Sequence, residues 1–295
     1  MTAATVRTDP KALTSLVACT RAEALRLRKW PAVWTLAGVW LLLNVTFGYV
    51  FPYLSYRNNG GGFANEGAQP QELLAEVMPQ NVDVTVIQGM PMFGGAILFA
   101  LAALAAGSGY GWGTWKTAFT QGPGRPTVFG GTVAALMGVV VAVVLATFVV
   151  NLGIAVTLAA VEGQPIALPA AADLARGLGG GLLILAMWTS AGLAIGTLTR
   201  APALAVALGL VWTLAVENLL RAVASMLDWL APVTDVMPGT VAGSIAAAAG
   251  AGLVSEGGSP GVVDNLAGGT AAVLALAYLV VLLVVTGRLV RRDIT

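Results

Sequence analysis

The sequence predicts an all-α integral membrane protein: six transmembrane helices in one domain, residues 1–295, with both termini in the cytoplasm. Three observations carry this reading. First, 57% of the residues are hydrophobic and 10% are charged, with a mean hydropathy of +0.84. Soluble domains carry about 25% charged residues. Second, Val84 to Ala106 and Pro126 to Val161 contain no charge at all, and about 20 apolar residues suffice for a helix to cross the hydrocarbon core. Third, with six spans and a cytoplasmic start, only Arg57, Arg176 and Arg221 of the 15 basic residues fall outside, as the positive-inside rule requires.

Taken in order, residues 12–30 read as an amphipathic helix along the inner surface that turns into the first span. Leu13, Leu16, Val17, Ala24 and Leu27 recur at helical spacing. Arg21, Arg28 and Lys29 flank them within reach of lipid phosphates, Glu23 adds an acid, and Trp30 and Trp34 suit the interface. The alternative is a plain basic flank. No small-residue cleavage site is present, so a signal peptide is not expected here. The spans follow at 31–51, 84–106, 129–160, 178–198, 201–216 and 270–286. The third is longer than a bilayer needs, so it tilts or projects into water. Residues 236–254 are apolar but mostly Ala and Gly. A seventh span there would carry Arg288, Arg291 and Arg292 outside, so the segment reads as re-entrant or as lying at the outer surface. Of the outer loops, Gln71 to Met78 reads as a short helix; the loops either form a compact cap or are ordinary connections.

Composition excludes several functions. There is no histidine and one cysteine, Cys19. Histidine-based metal sites and bases are therefore absent, as is an internal disulfide. An intramembrane aspartyl dyad needs an Asp at the centre of a span, and Asp173 stands at an edge. A Ser-Lys dyad needs a buried lysine, whereas Lys11, Lys29 and Lys116 all fall in the cytoplasm. No basic patch exists beyond the membrane flanks, so nucleic acid is not an expected partner. Arginine-rich, Ala- and Gly-rich usage reads as a GC-rich bacterial genome, and hence as a multi-pass protein of the bacterial plasma membrane.

The loop 107–125, GSGYGWGTWKTAFTQGPGR, is too rich for a plain connection. If Tyr110 to Thr120 is helical, Trp112, Trp115 and Phe119 share one face at i, i+3, i+7. Gly122, Pro123, Gly124 and Pro126 then end the helix before the third span. Such a face either sits among lipid headgroups or plugs into a cleft on another protein.

The order of parts resembles the permease subunit of type-2 ABC exporters: a basic elbow helix, six spans with both ends inside, and a coupling helix between spans two and three. The residues that carry the likeness are the elbow RAEALRLRKWP, the loop GYGWGTWKTAFTQGPGRPTVFGG with Gly113-Thr114 and then Arg125-Pro126, and the ending TGRLVRRDIT. Many members have an acidic residue just before the Gly-Thr pair; here Gly107, Ser108 and Gly109 stand there. The resemblance implies a coupling role for Tyr110, Trp112, Gly113, Thr114, Trp115, Lys116 and Phe119. It also implies partners: two copies of a cytoplasmic P-loop ATPase and a second permease, identical or a sister chain, in the lipid bilayer. This chain has no G-x-x-x-x-G-K-[ST] loop, because Thr114 and Trp115 separate Gly113 from Lys116. It is therefore expected to be no enzyme and to bind no cofactor itself; ATP and Mg would sit on the partner. A gradient-driven secondary transporter or channel without an ATPase is the alternative.

Other residues have two readings each. Glu217 and Arg221, with Asn218 between them, stand near the outer end of the fifth span. They form either an intrahelical ion pair at a solvated end or part of a gate on a central cavity. Asn44 and Asn151 read as interhelical hydrogen-bond partners, with ligand contacts as the alternative. Gly94-Gly95 and Gly179 to Gly181 read as close-packing sites, and Pro91 as a kink or a first-turn residue.

Overall fold

The computed structural model describes residues 10–59, 69–111, 117, 123–224, 226–252 and 259–292. Among these the chain is helical, with no strand. Six helices are long and apolar enough to cross a membrane: α2 (Pro31–Arg57), α4 (Pro79–Gly111), α5 (Arg125–Val161), α6 (Ala171–Thr199), α7 (Pro202–Ala224) and α10 (Gly268–Arg292). The described residues also form the shorter helices α1 (Pro10–Lys29), α3 (Pro70–Glu76), α8 (Ala231–Asp235) and α9 (Pro238–Ala248). The end of α10 lies beside the start of α5, through the Arg125 guanidinium and the Arg291 carbonyl (3.0 Å). We call this end, which also carries α1, proximal, and the opposite end distal.

The helices outrun the apolar runs that announce them. α4 has 33 residues and α5 has 37, about 50 and 55 Å at 1.5 Å per residue. Both exceed the roughly 30 Å of a hydrocarbon core. α4 begins at Pro79, so Pro91 lies well inside it. There the missing N–H is absorbed by a π turn, Met90–Gly94, where Phe93 and Gly94 both donate to the Gly89 carbonyl at 3.1 Å. Pro91 is thus not a first-turn residue. Similar π turns interrupt α2 at Thr46–Val50 and α7 at Trp212–Val216.

α4 is the central helix. In its most apolar window 72% of residues are buried, against 22% for α7 and 17% for α10. Its main partner is α6, and glycines set their separation. Two G-x-x-x-G pairs, Gly177 with Gly181 and Gly192 with Gly196, face α4. A Cβ at Gly177 would lie 2.6 Å from the Asp83 carbonyl, and one at Gly196 would lie 2.7 Å from the Ala103 carbonyl. At Gly192 it would collide with the Phe99 carbonyl. Bilayers provide no hydrophobic drive between helices, so such close backbone packing must supply the association energy. Gly94 and Gly95 make room for Trp40 and Trp188. In the run at Gly179 to Gly181, Gly180 and Gly181 touch Ile87 and Met90, but Gly179 faces open space.

Polar side chains add a few cross-links. Trp40 donates to the Thr147 hydroxyl (2.8 Å), joining α2 to α5. Asn44 donates to the Thr85 carbonyl (3.2 Å), joining α2 to α4. Asn151 does not act as expected: it is fully buried in α5, and neither amide atom has a hydrogen-bond partner. At the distal end Tyr53 and Tyr56 both donate to Glu162, at 2.6 and 3.1 Å, with Arg57 3.6 Å away. These contacts tie α2 to the end of α5 and hold the Glu162 carboxyl below the usual range. α3 packs nearby, where Val77 and Met78 join Tyr49, Ala155 and Ala159 in a small separate core. Burial, with Glu72 beside it, pushes the Glu76 carboxyl up to about 7.

α1 stops at Lys29 because Trp30 is extended (φ −86°, ψ 117°) and Pro31 opens α2; a residue before proline is steered out of the helical region. α1 packs along the proximal end of α5, where Gly130 and Gly131 receive Leu16 and Cys19. Only part of its apolar stripe is used. Leu27 is 1% exposed, whereas Leu13 and Val17 are exposed.

Two expectations follow. Gly192→Val should destabilise the protein by at least about 3 kcal/mol, since overpacking against backbone cannot relax through a side chain. Gly179→Ala, facing open space, should be neutral or stabilising by up to about 1 kcal/mol. Thermal unfolding in detergent reads both, and equal effects at the two sites would contradict the seam. The second concerns pH. A carboxyl raised on folding favours the folded state most below its unfolded value, 4.5, and stability then falls as pH climbs to about 7. Glu162, lowered on folding, contributes fully above 4.5 and so throughout that window, and its contribution is lost only in acid. Between pH 4.5 and 7 the wild type should therefore lose stability, and Glu76→Gln should make that slope shallower.

Candidate functional site

Two regions carry the residues singled out in the sequence. The first is the proximal loop 107–125. Trp112, Gly113, Thr114, Trp115, Lys116 and Phe119 lie outside the described residues; the two feet of the loop and Thr117 are placed. Both feet are firmly seated. At the end of α4, a Cβ at Gly107 would lie 2.8 Å from the Pro202 Cα, so α4 touches the turn between α6 and α7. The Tyr110 ring faces the Arg200 guanidinium, 5.8 Å from the ring centroid. Arg200 itself turns left-handed (φ 52°) and closes α6 by donating its N–H to the Gly196 carbonyl at 3.1 Å. From α1, Arg26 reaches the Ala105 carbonyl (3.4 Å), pairs with Glu23 and lies over Trp30. At the other foot, Arg125 holds the Arg291 carbonyl. Arg21, Arg28 and Lys29 are exposed on α1. Gly107 and Ser108 are buried, and at Gly107 there is no room for any side chain.

The second region is distal, around Glu217. The intrahelical pair expected with Arg221 is not what Glu217 makes. Glu217 is 1% exposed, and one oxygen accepts the Thr240 backbone N–H at 3.0 Å. Thr240 lies in the first turn of α9, whose free N–H groups and positive dipole end favour a carboxylate. Gly239 makes this possible, since a Cβ there would lie 2.7 Å from the carboxylate carbon. Arg221 turns instead to the Asn218 side-chain oxygen. Asn218 in turn donates to the Leu214 carbonyl at 3.0 Å. The other Glu217 oxygen, one Arg221 nitrogen and the Thr240 hydroxyl are buried without hydrogen-bond partners.

α9 is thereby fixed among the spans rather than laid over them. Residues 240–246 are all buried. Ile245 meets Gly180 of α6, Gly243 meets Gly261, and Gly261 meets Met92 in the π turn of α4. The Tyr278 hydroxyl, ten residues into α10, donates to the Val236 carbonyl at 2.7 Å. The segment drawn as 236–254 thus starts below the distal ends of α7 and α10 and rises to them. Pro238 at the first helical position marks its start in the sequence. Nothing local to Glu217 marks Thr240 as its partner, because 23 residues separate them.

No protein-family model and no curated protein matches the chain.

Replacing Glu217 tests the junction. Glu217→Leu removes the acceptor and should cost about 1.5–3 kcal/mol, the range for a hydrogen bond to a charged group. Glu217→Gln keeps an acceptor and should cost less. Wild-type stability in Glu217→Leu, measured by denaturation in detergent, would contradict the capping role.

Proposed function

We propose that the chain is the membrane-spanning permease subunit of an ATP-driven ABC exporter in the bacterial plasma membrane. ATP, with Mg, is hydrolysed on a separate P-loop subunit present in two copies, and a second permease copy or sister chain completes the pathway. The observation that supports this most is the seating of the proximal loop. A force applied at 107–125 reaches α1 through Arg26, the α6–α7 turn through Pro202 and Arg200, and α10 through Arg291. Coupling a soluble motor to spans requires such a stiff mount. Basic residues support the same orientation: Arg21, Arg26, Arg28, Lys29, Arg125, Arg200, Arg288 and Arg291 belong to the proximal end, as the positive-inside rule expects of a cytoplasmic one. On this reading α1 is the elbow, α9 is a re-entrant segment facing outwards, and Trp112, Trp115 and Phe119 dock in a cleft of the ATPase as aromatic anchors.

Trp115→Ala and Lys116→Glu test it. Each variant is expected to fold normally and to lose most of its co-purifying ATPase. Unchanged ATPase retention in both would remove the coupling role from the loop.

One observation favours a second reading, a gradient-driven carrier. Glu217 is a buried carboxylate seven residues from the end of α7, and buried intramembrane acids serve as proton relays. Proteoliposomes with an imposed pH gradient separate the readings: the carrier passes protons and Glu217→Gln does not, whereas the permease passes none.

A further inference from the structure

The chain carries a groove apart from both the proximal loop and the Glu217 junction. It runs between α1, α2 and α5 at the proximal end and encloses about 560 Å³. Its floor is made of small residues, among them Ala37 and Gly38 of α2 and Ala134, Gly138 and Ala142 of α5. Gly38 and Gly138 face open space, with no atom within 4 Å of an added Cβ. At the proximal mouth stand Thr20, Arg28 and Trp34. Trp34 is 64% exposed and is pinned by its indole N–H to the Arg28 carbonyl at 2.7 Å. The Arg28 guanidinium is exposed and has no partner among the described residues. Arg21 lies seven residues earlier on the same face of α1.

We propose that this groove binds one anionic phospholipid, with an acyl chain in the slot and the phosphate against Arg28 and Arg21. Apolar lining and charge select this occupant. The α5 lining from Ala134 to Ala146 is about 18 Å long, and one extended hydrocarbon chain can follow it. A free anion would gain nothing from the apolar slot, and a zwitterionic lipid offers the arginines a phosphate whose charge its own ammonium offsets; an anionic lipid uses both ends in full. The exposed Leu13 and Val17 continue the apolar stripe of α1 beside the groove, where the same leaflet would cover them. The inference rests on the chain spanning a membrane and not on the ABC reading, so either can fail alone.

The test is native mass spectrometry of the full chain purified from vesicles of phosphatidylglycerol and phosphatidylethanolamine. The wild type is expected to retain one phosphatidylglycerol per chain in preference to phosphatidylethanolamine. The double variant Gly38→Leu/Gly138→Leu fills the slot from within and should lose this lipid while melting normally. Arg28→Gln leaves the slot open and should lower the preference for phosphatidylglycerol about fivefold, the effect of one arginine at an anionic surface. Equal retention in wild type and double variant would overturn the site, and an unchanged preference in Arg28→Gln would overturn the headgroup contact. Efficient disulfide formation between two copies carrying Gly138→Cys, in a Cys19→Ser background, would also overturn the proposal by placing a second chain in the groove.

Discussion

The structure depends on how closely the α4 and α6 backbones approach. Apolar surface gains little by leaving lipid for protein, so helices in a bilayer are held by contact and by hydrogen bonds rather than by hydrophobic transfer. Gly177, Gly192 and Gly196 let carbonyls of α4 lie directly on α6, and Gly181 receives the Met90 side chain. Everything else is arranged around that pair. α2 joins it by placing Trp40 beside Gly94 and Asn44 on the Thr85 carbonyl. α7 joins it at Gly209, which receives the Phe99 ring. α9 joins through Gly180 and the π turn at Met90–Gly94. A rigid centre of this kind lets a displacement at one end be felt at the other without being absorbed by side chains.

The same principle explains the distal junction. A helix that begins inside a protein leaves several N–H groups without partners, and there is no water at that depth to take them. Met237, the residue before α9, provides no side-chain cap. Glu217, arriving from α7, supplies the missing acceptor, and Gly239 leaves it room. A buried carboxylate is costly alone and a buried helix start is costly alone. Together each offsets the other, which is why α9 can sit among the spans.

Much of the fold was legible because a bilayer imposes a simple rule. Charge-free runs gave six helices, and the glycine runs at 94–95 and 179–181 fell at contacts except at Gly179. What the runs could not give was where the helices end. α4 starts at Pro79 and takes in Asp83, which is 6% exposed because Gly177 of α6 packs on its carbonyl; no local pattern announces that. The stripe on α1 was visible, but which edge of it packs depends on Gly130 and Gly131 in another helix. Glu217 shows the limit most clearly. Its spacing to Arg221 fits an ion pair, yet its actual partner is a backbone N–H 23 residues away. Of the loop 107–125, Tyr110 and Arg125 are placed, and the residues between that carry the aromatic face were read from sequence alone.

The central claim is that a separate motor drives these spans from the proximal end. The most direct measurement is to purify the tagged chain in mild detergent from its native host and identify every stoichiometric companion by mass spectrometry. The account predicts a P-loop ATPase among them. A folded preparation with no ATPase, at low salt as well as high, would contradict it and leave the loop 107–125 as a membrane-surface anchor.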